Sequence, residues 1–149
     1  MSDYFETTID KFIFKVAKDR LYTPEGLWAQ TENALVRMGV TDYFQQHNGD
    51  IAFATMQPVG TVLKVEDELA SVETIKVDLS LASPISGEIV NINKIVTSKP
   101  ETINQDPYGN GWLCEIETSH WDTEKLKLLS PEQYFNKMKN DAEEEVKKG

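Results

Sequence analysis

Apolar and polar residues alternate with a period of two in run after run along this chain, and helical spacing is confined to short stretches and the C-terminus. The clearest alternation flanks Glu73-Thr74-Ile75-Lys76-Val77-Asp78. Leu69-Ala70-Ser71-Val72-Glu73 leads in and Val77-Asp78-Leu79-Ser80-Leu81 leads out, which predicts a β-hairpin with Lys76 at its tip. Val62-Leu63-Lys64-Val65 precedes it across the acidic step Glu66-Asp67-Glu68. Pro84 to Gly87 supplies a turn, and Glu88 to Asn93 returns as a strand. The runs Val62–Val72 and Val77–Val90 therefore read as two similar halves of one flattened barrel or sandwich.

Elsewhere the pattern is shorter-ranged. Phe12, Phe14 and Val16 suit a strand, whereas Tyr4, Phe5, Ile9 and Phe12 suit a short helix, and the spacing leaves both open. Pro24 and Gly26 mark a turn before a hairpin from Leu27–Gln30 to Ala34–Val40, with Glu32-Asn33 at its bend because Asn tolerates the left-handed conformation. Thr41 to Gly49 reads as a short helix with Thr41 or Asp42 as N-cap and Asn48-Gly49 as its stop. Ile51 to Met56 is a strand ended by Pro58-Val59-Gly60. Ser98 to Asn104 suggests a single capped helical turn and Asp106 to Gly111 a loop. Trp112 to Glu117 alternates, with Trp112, Cys114 and Ile116 on one face and Leu113, Glu115 and Glu117 on the other. Ser130-Pro131-Glu132-Gln133 has the form of a capping box, opening a C-terminal helix whose packed face carries Tyr134, Phe135, Met138, Ala142 and Val146. Glu143 to Glu145 and Lys147-Lys148 are expected to fray into solvent.

A chain of 149 residues suits one core, so residues 1–149 read as one domain, with an N-terminal extension over 1–20 and a helix and charged tail over 130–149. The formal net charge of -10 argues against nucleic acid or an anionic membrane as partner and favours a basic protein surface. The single cysteine, Cys114, forms no internal disulfide, and the acidic opening Met1-Ser2-Asp3 has no secretory character; a reducing cytoplasm is the expected setting. No run approaches the roughly 18 apolar residues of a membrane span.

No catalytic apparatus is visible. His47 and His120 have no Cys or His partner at metal-ligand spacing and read as surface residues. Gly109-Asn110-Gly111 lacks the strand-loop-helix setting of a phosphate loop, so it reads as turn chemistry. Cys114 lies in an alternating strand and reads as a buried thiol, and Trp28, Trp112 and Trp121 read as core or cleft residues. Lys76 is the exception, because an amine on a flexible stem at a hairpin tip is open to an acylating enzyme. Glu73 and Asp78 beside it, with Glu66, Asp67, Glu68 and Glu88, are expected to give that end an acidic field that steers it to basic partners.

Spacing sharpens the picture. Gly60 stands sixteen residues before Lys76, Gly87 eleven after and Glu73 three before. With Pro58-Val59-Gly60, Ser83-Pro84-Ile85-Ser86-Gly87 and Asp106-Pro107-Tyr108-Gly109-Asn110-Gly111-Trp112-Leu113, this set resembles the lipoyl carriers, and most of all the H-protein family of glycine cleavage, over about Leu21 to Tyr134. The resemblance implies a mainly β barrel-sandwich hybrid with short helices and a C-terminal α-helix. It also implies lipoic acid in amide linkage to Lys76, with Glu73, Gly60 and Gly87 as the accompanying site residues. Biotin carriers share the fold but place their lysine between methionines, where this chain has Ile75 and Val77.

One departure bears on function. H proteins typically read His-Glu-Trp after the first turn, the acid helping to form the cleft for the aminomethyl-loaded arm; this chain reads Gly26-Leu27-Trp28. Tyr22 to Trp28 and Val72 to Val77 look more like the lipoate-binding branch of sulfur-oxidising prokaryotes. That resemblance implies a sulfur-carrying arm serving a heterodisulfide-reductase-like complex, with a lipoate-protein ligase or equivalent to load it. The alternatives are an H protein serving the glycine cleavage enzymes and dihydrolipoamide dehydrogenase, and an unlipoylated interaction scaffold.

Overall fold

The structure, a computed structural model, describes residues 2–148. In chain order its elements are β1 (Tyr4–Ile9), β2 (Phe12–Ala17), β3 (Leu21–Tyr22), β4 (Leu27–Glu32), β5 (Leu35–Val40), α1 (Asp42–Asn48), β6 (Ile51–Met56), β7 (Val62–Leu63), β8 (Glu68–Thr74), β9 (Asp78–Ala82), β10 (Gly87–Ile92), α2 (Lys94–Ser98), α3 (Glu101–Gln105), β11 (Cys114–Glu117), α4 (Trp121–Glu124) and, after a 3-10 turn, α5 (Pro131–Lys148). The strands form a six-stranded sheet in the order β3-β4-β5-β11-β10-β7, a three-stranded sheet β6-β8-β9 and the hairpin β1-β2. The sheets stay open and pack as a sandwich, so the barrel half of the expectation is not realised.

The main core lies where inward-facing residues of the two larger sheets meet, with Met38, Leu69, Val72, Ile89 and Ile116 all buried. The two halves seen in the pattern are real. The first crosses from the six-stranded sheet (β7) to the three-stranded one (β8), and the second crosses back (β9 to β10). β7 pairs with β10 and β8 with β9. At the crossing Glu66 N–H donates to the Ser83 carbonyl and Ser83 N–H to the Asp67 carbonyl, both at 2.7 Å.

A second cluster sits under the chain ends. The N-terminal segment is a strand hairpin, bent at Asp10, which settles the strand-or-helix ambiguity. Phe14 and Val16 pack with Tyr22, Trp28, Tyr134 and Met138. The capping box at α5 forms as expected: Gln133 N–H donates to Ser130 Oγ at 3.2 Å, and Ser130 N–H to Gln133 Oε1 at 2.9 Å. The tail does not fray. α5 runs to Lys148, and the Glu145 carboxylate reaches His47 Nδ1 at 2.9 Å and accepts from the Tyr43 hydroxyl at 3.2 Å.

Two further expectations need correction. The single turn expected over Ser98–Asn104 is two helices. The cap is Asn93, whose side chain accepts from Ile95 N–H, and Ser98 closes the first helix instead of opening the second. Trp112 does not share the face of Cys114 and Ile116. The strand begins only at Cys114, so Leu113 is buried while Trp112 is half-buried against the Arg37 guanidinium, 4.4 Å from its ring. Val62-Leu63, the run that precedes the Lys76 hairpin across the acidic step, forms β7 in the six-stranded sheet.

Candidate functional site

The β8–β9 hairpin closes with Glu73 paired to Asp78, leaving Thr74 to Val77 as the turn. No left-handed residue is needed there, for the turn is built on Thr74. Its N–H donates to the Val77 carbonyl at 2.9 Å, while its hydroxyl accepts from Lys76 N–H at 3.2 Å and Val77 N–H at 3.0 Å. A hydroxyl serving as a local backbone acceptor is the Ser/Thr-turn device, and the buried Thr74 fixes the main chain beneath Lys76. The alternation of apolar and polar positions does not point to this role; Thr two residues before the tip lysine is the signal that could have found it.

Lys76 points into water. Among the described residues no carboxylate lies within ion-pair reach of its Nζ and nothing hydrogen-bonds it. Its neighbour Ile75 is 90% exposed and Val77 is 39% exposed. Glu73 and Asp78 are exposed on the outer face, one pair back from the tip.

The other acids are not there. Glu68 is six residues, about 20 Å, down β8 from Thr74, where it accepts from Ser80 and Gln57. Asp67 accepts from Lys64 N–H at 2.8 Å in the turn at that far end, and Glu88 lies on β10 beside Val62. The acidic field at the tip thus reduces to two carboxylates. Gly60 and Gly87 also stand apart from Lys76. Gly60 bonds to Ile89 in the loop before β7, and Gly87 pairs with Leu63. Gly87 has a φ of 147° and a Cβ on it would run into the Glu117 carbonyl, so its hydrogen is what lets β10 lie against β11. Gly60, at φ 96°, faces open space.

Along the inner edge of β9 runs a cleft of about 430 Å³ lined by Leu79, Ser80, Leu81, Glu25, Leu27 and His47, among others. Leu27 is only 2% exposed, so the position that departs from the His-Glu-Trp pattern is apolar core. The cleft still carries polar groups, from Glu25 and His47. Cys114 is remote from all of this, buried in β11, and burial pushes its thiol up to about 12. Among the described residues no group of three His, Cys, Asp or Glu is placed to hold a metal, and no helix is long and apolar enough to cross a membrane.

A two-sheet sandwich offering one solvated lysine from a tight hairpin tip has the architecture of a protein that bears a swinging acyl arm. Comparison with known proteins makes the class specific. The family model described as glycine cleavage H-protein matches residues 20–141. A probable glycine cleavage system H protein of Natronomonas pharaonis is 40% identical over 121 residues, covering 81% of this chain and 94% of the relative. The glycine cleavage system H protein of Rubrobacter xylanophilus is 33% identical over 127 residues, 85% of this chain and 98% of the relative. The crystal structure of a glycine cleavage system H protein from Mycobacterium marinum superposes with a TM-score of 0.74 at 30% identity, over 81% of this chain and 97% of that one. The chain belongs to the glycine cleavage H-protein family, whose members carry lipoate covalently on a lysine.

Proposed function

We propose that the chain is a lipoate carrier of glycine cleavage, acylated at Lys76, whose arm takes an aminomethyl group from one enzyme of the system to the next and is reoxidised by dihydrolipoamide dehydrogenase. The observation that carries this reading is the exposed Lys76 amine, without an ion-pair partner among the described residues, at the hairpin tip of a member of this family. The group supplies a reversible dithiol/disulfide couple. The chain supplies the rest. Thr74 holds the attachment point, and the β9 cleft offers Leu79 and Leu81 to an aliphatic arm and Glu25 and His47 to a polar load at its end. The role is that of a carrier and not a catalyst. Tethering makes each transfer local to a docked complex in place of an encounter with free cofactor.

The relatives named above are glycine cleavage proteins, which places the sulfur-carrier reading, with its heterodisulfide-reductase-like complex, second. What favours it is Leu27, which removes an acid from the cleft; what weighs against it is Glu25, which returns a carboxylate to the same cleft. A reducing, cytoplasmic setting fits the single buried thiol. The deciding experiment supplies purified lipoylated protein to glycine decarboxylase and measures glycine–bicarbonate exchange. Turnover at the rate given by an authentic H protein supports the proposal. No exchange by a fully lipoylated sample overturns it, and loss of the lipoyl adduct altogether leaves only the interaction scaffold.

A further inference from the structure

Three exposed apolar side chains are gathered about Lys76, on a face that is otherwise small and polar. Phe53 on β6 is 62% exposed and sits directly opposite Glu73, which in turn faces Asp78, so Phe53, Glu73 and Asp78 form one row across the outer face at the tip. The next row of that face is Thr55, Ser71 and Ser80. Ile75 and Val77 then flank the lysine itself. Scattered exposed apolar residues need no explanation, but an aromatic and two aliphatics grouped at one end, with two carboxylates beside them, form a small apolar patch with an acidic rim. Internal packing does not account for Ile75, which touches almost nothing.

We propose that Phe53, Ile75 and Val77, with Glu73 and Asp78, form the docking surface for the enzyme that acylates Lys76, and that this enzyme meets it with an apolar recess rimmed by cationic side chains. The inference rests on the reading of Lys76 as the attachment site. The commitment to the acylating enzyme follows from geometry. Whatever works on Nζ itself must admit the residues on either side of it, whereas enzymes that use the finished arm meet its far end. Charge selects the same partner, because two carboxylates one pair behind the lysine, on a chain of net charge -10, favour a basic mouth. With a lipoyl-adenylate as donor, Nζ forms the C–N bond and the acyl–phosphate bond breaks. The nucleotide leaves with the electron pair, and Nζ passes from ammonium to amide by releasing two protons.

The test uses the full chain expressed without lipoate, a purified lipoate-protein ligase, lipoate and ATP, with the adduct read by intact mass. Phe53→Ala and, separately, Ile75→Ser are expected to raise KM for the carrier about tenfold with kcat within about twofold, the pattern of a lost docking contact. Val62→Ala, removing a side chain 72% exposed on β7 away from the tip, is the control and should match the parent. Glu73→Lys with Asp78→Lys should weaken the dependence of KM on salt. Equal KM values for the parent and both tip variants, with the parent acylated, would overturn the docking surface and leave the carrier reading intact. A parent protein that takes no lipoyl group at Lys76 would overturn both. Ile75→Ser lies in the turn, outside any strand, so its effect is separable from folding.

Discussion

The hydroxyl of Thr74 stands 3.2 Å from the main-chain nitrogen of Lys76 and accepts its proton, while holding Val77 N–H at 3.0 Å. A lysine meant to be handled by other enzymes gains from a fixed base beneath a free side chain, and one hydroxyl provides that base.

Thr74→Val keeps the β-branched shape and deletes the acceptor of two N–H groups. A loss of about 1–2 kcal/mol is expected, some 3–6 °C in melting temperature for a chain of this size. Hydrogen exchange at Lys76 and Val77 should accelerate with little change elsewhere, and Thr74→Ser should restore both. Unchanged exchange at these amides in the valine variant would remove Thr74 from its role.

The two glycines separate by measurement. Gly87→Ala sets a Cβ against the Glu117 carbonyl at the end of the β10–β11 pair, with Ile116 alongside, and should cost about 3 kcal/mol or prevent folding. Gly60→Ala meets only the left-handed backbone penalty, about 1–2 kcal/mol. Chemical denaturation of both variants checks the order. Both glycines belong to the scaffold, so the Gly60 variant should be lipoylated at the parental rate.

Burial raises the Cys114 thiol to about 12, and pushes Tyr22, Tyr43, Tyr108 and Tyr134 up as well. Each of these groups binds its proton more tightly folded than unfolded. Their contribution is complete below the unfolded values, near 9 for the thiol, and is lost as pH climbs through the folded ones. The melting temperature should therefore fall steadily above pH 9. Cys114 should resist alkylation at pH 8 until denaturant is added. Stoichiometric labelling of the native protein would contradict its burial.

Deleting residues 2–18 would strip Phe14 and Val16 from Tyr22, Trp28, Tyr134 and Met138. Exposing that cluster should cost on the order of 5 kcal/mol and lower the melting temperature by more than about 10 °C, with α5 partly melted by circular dichroism. A truncated chain as stable as the parent would mean that the hairpin is an appendage and not part of one domain.

What the sequence made legible was local. The Lys76 hairpin, the Asn33 bend, the Thr41 cap and the Ser130–Gln133 capping box each depend on residues within a few positions of one another, and each formed as expected. The acidic field failed because proximity along the chain is not proximity in space. β8 carries Glu68 away from the tip by its whole length, and the crossing of sheets sends Glu66 and Asp67 to Ser83. The tail was misjudged for a similar reason. Nothing in Glu143-Glu144-Glu145 reveals that Glu145 will meet His47, 98 positions earlier. The cleft was the subtlest case, since the apolar residue at Leu27 is visible in sequence but the presence of Glu25 in the cleft depends on which way the Pro24–Gly26 turn projects.

The central claim is that Lys76 accepts the lipoyl group, and intact-mass spectrometry with peptide mapping, after expression in cells supplied with lipoate, tests it most directly. One lipoyl adduct confined to the peptide containing Lys76, and absent from Lys76→Arg, is the predicted result. An unmodified chain, or an adduct that persists in Lys76→Arg, would contradict it.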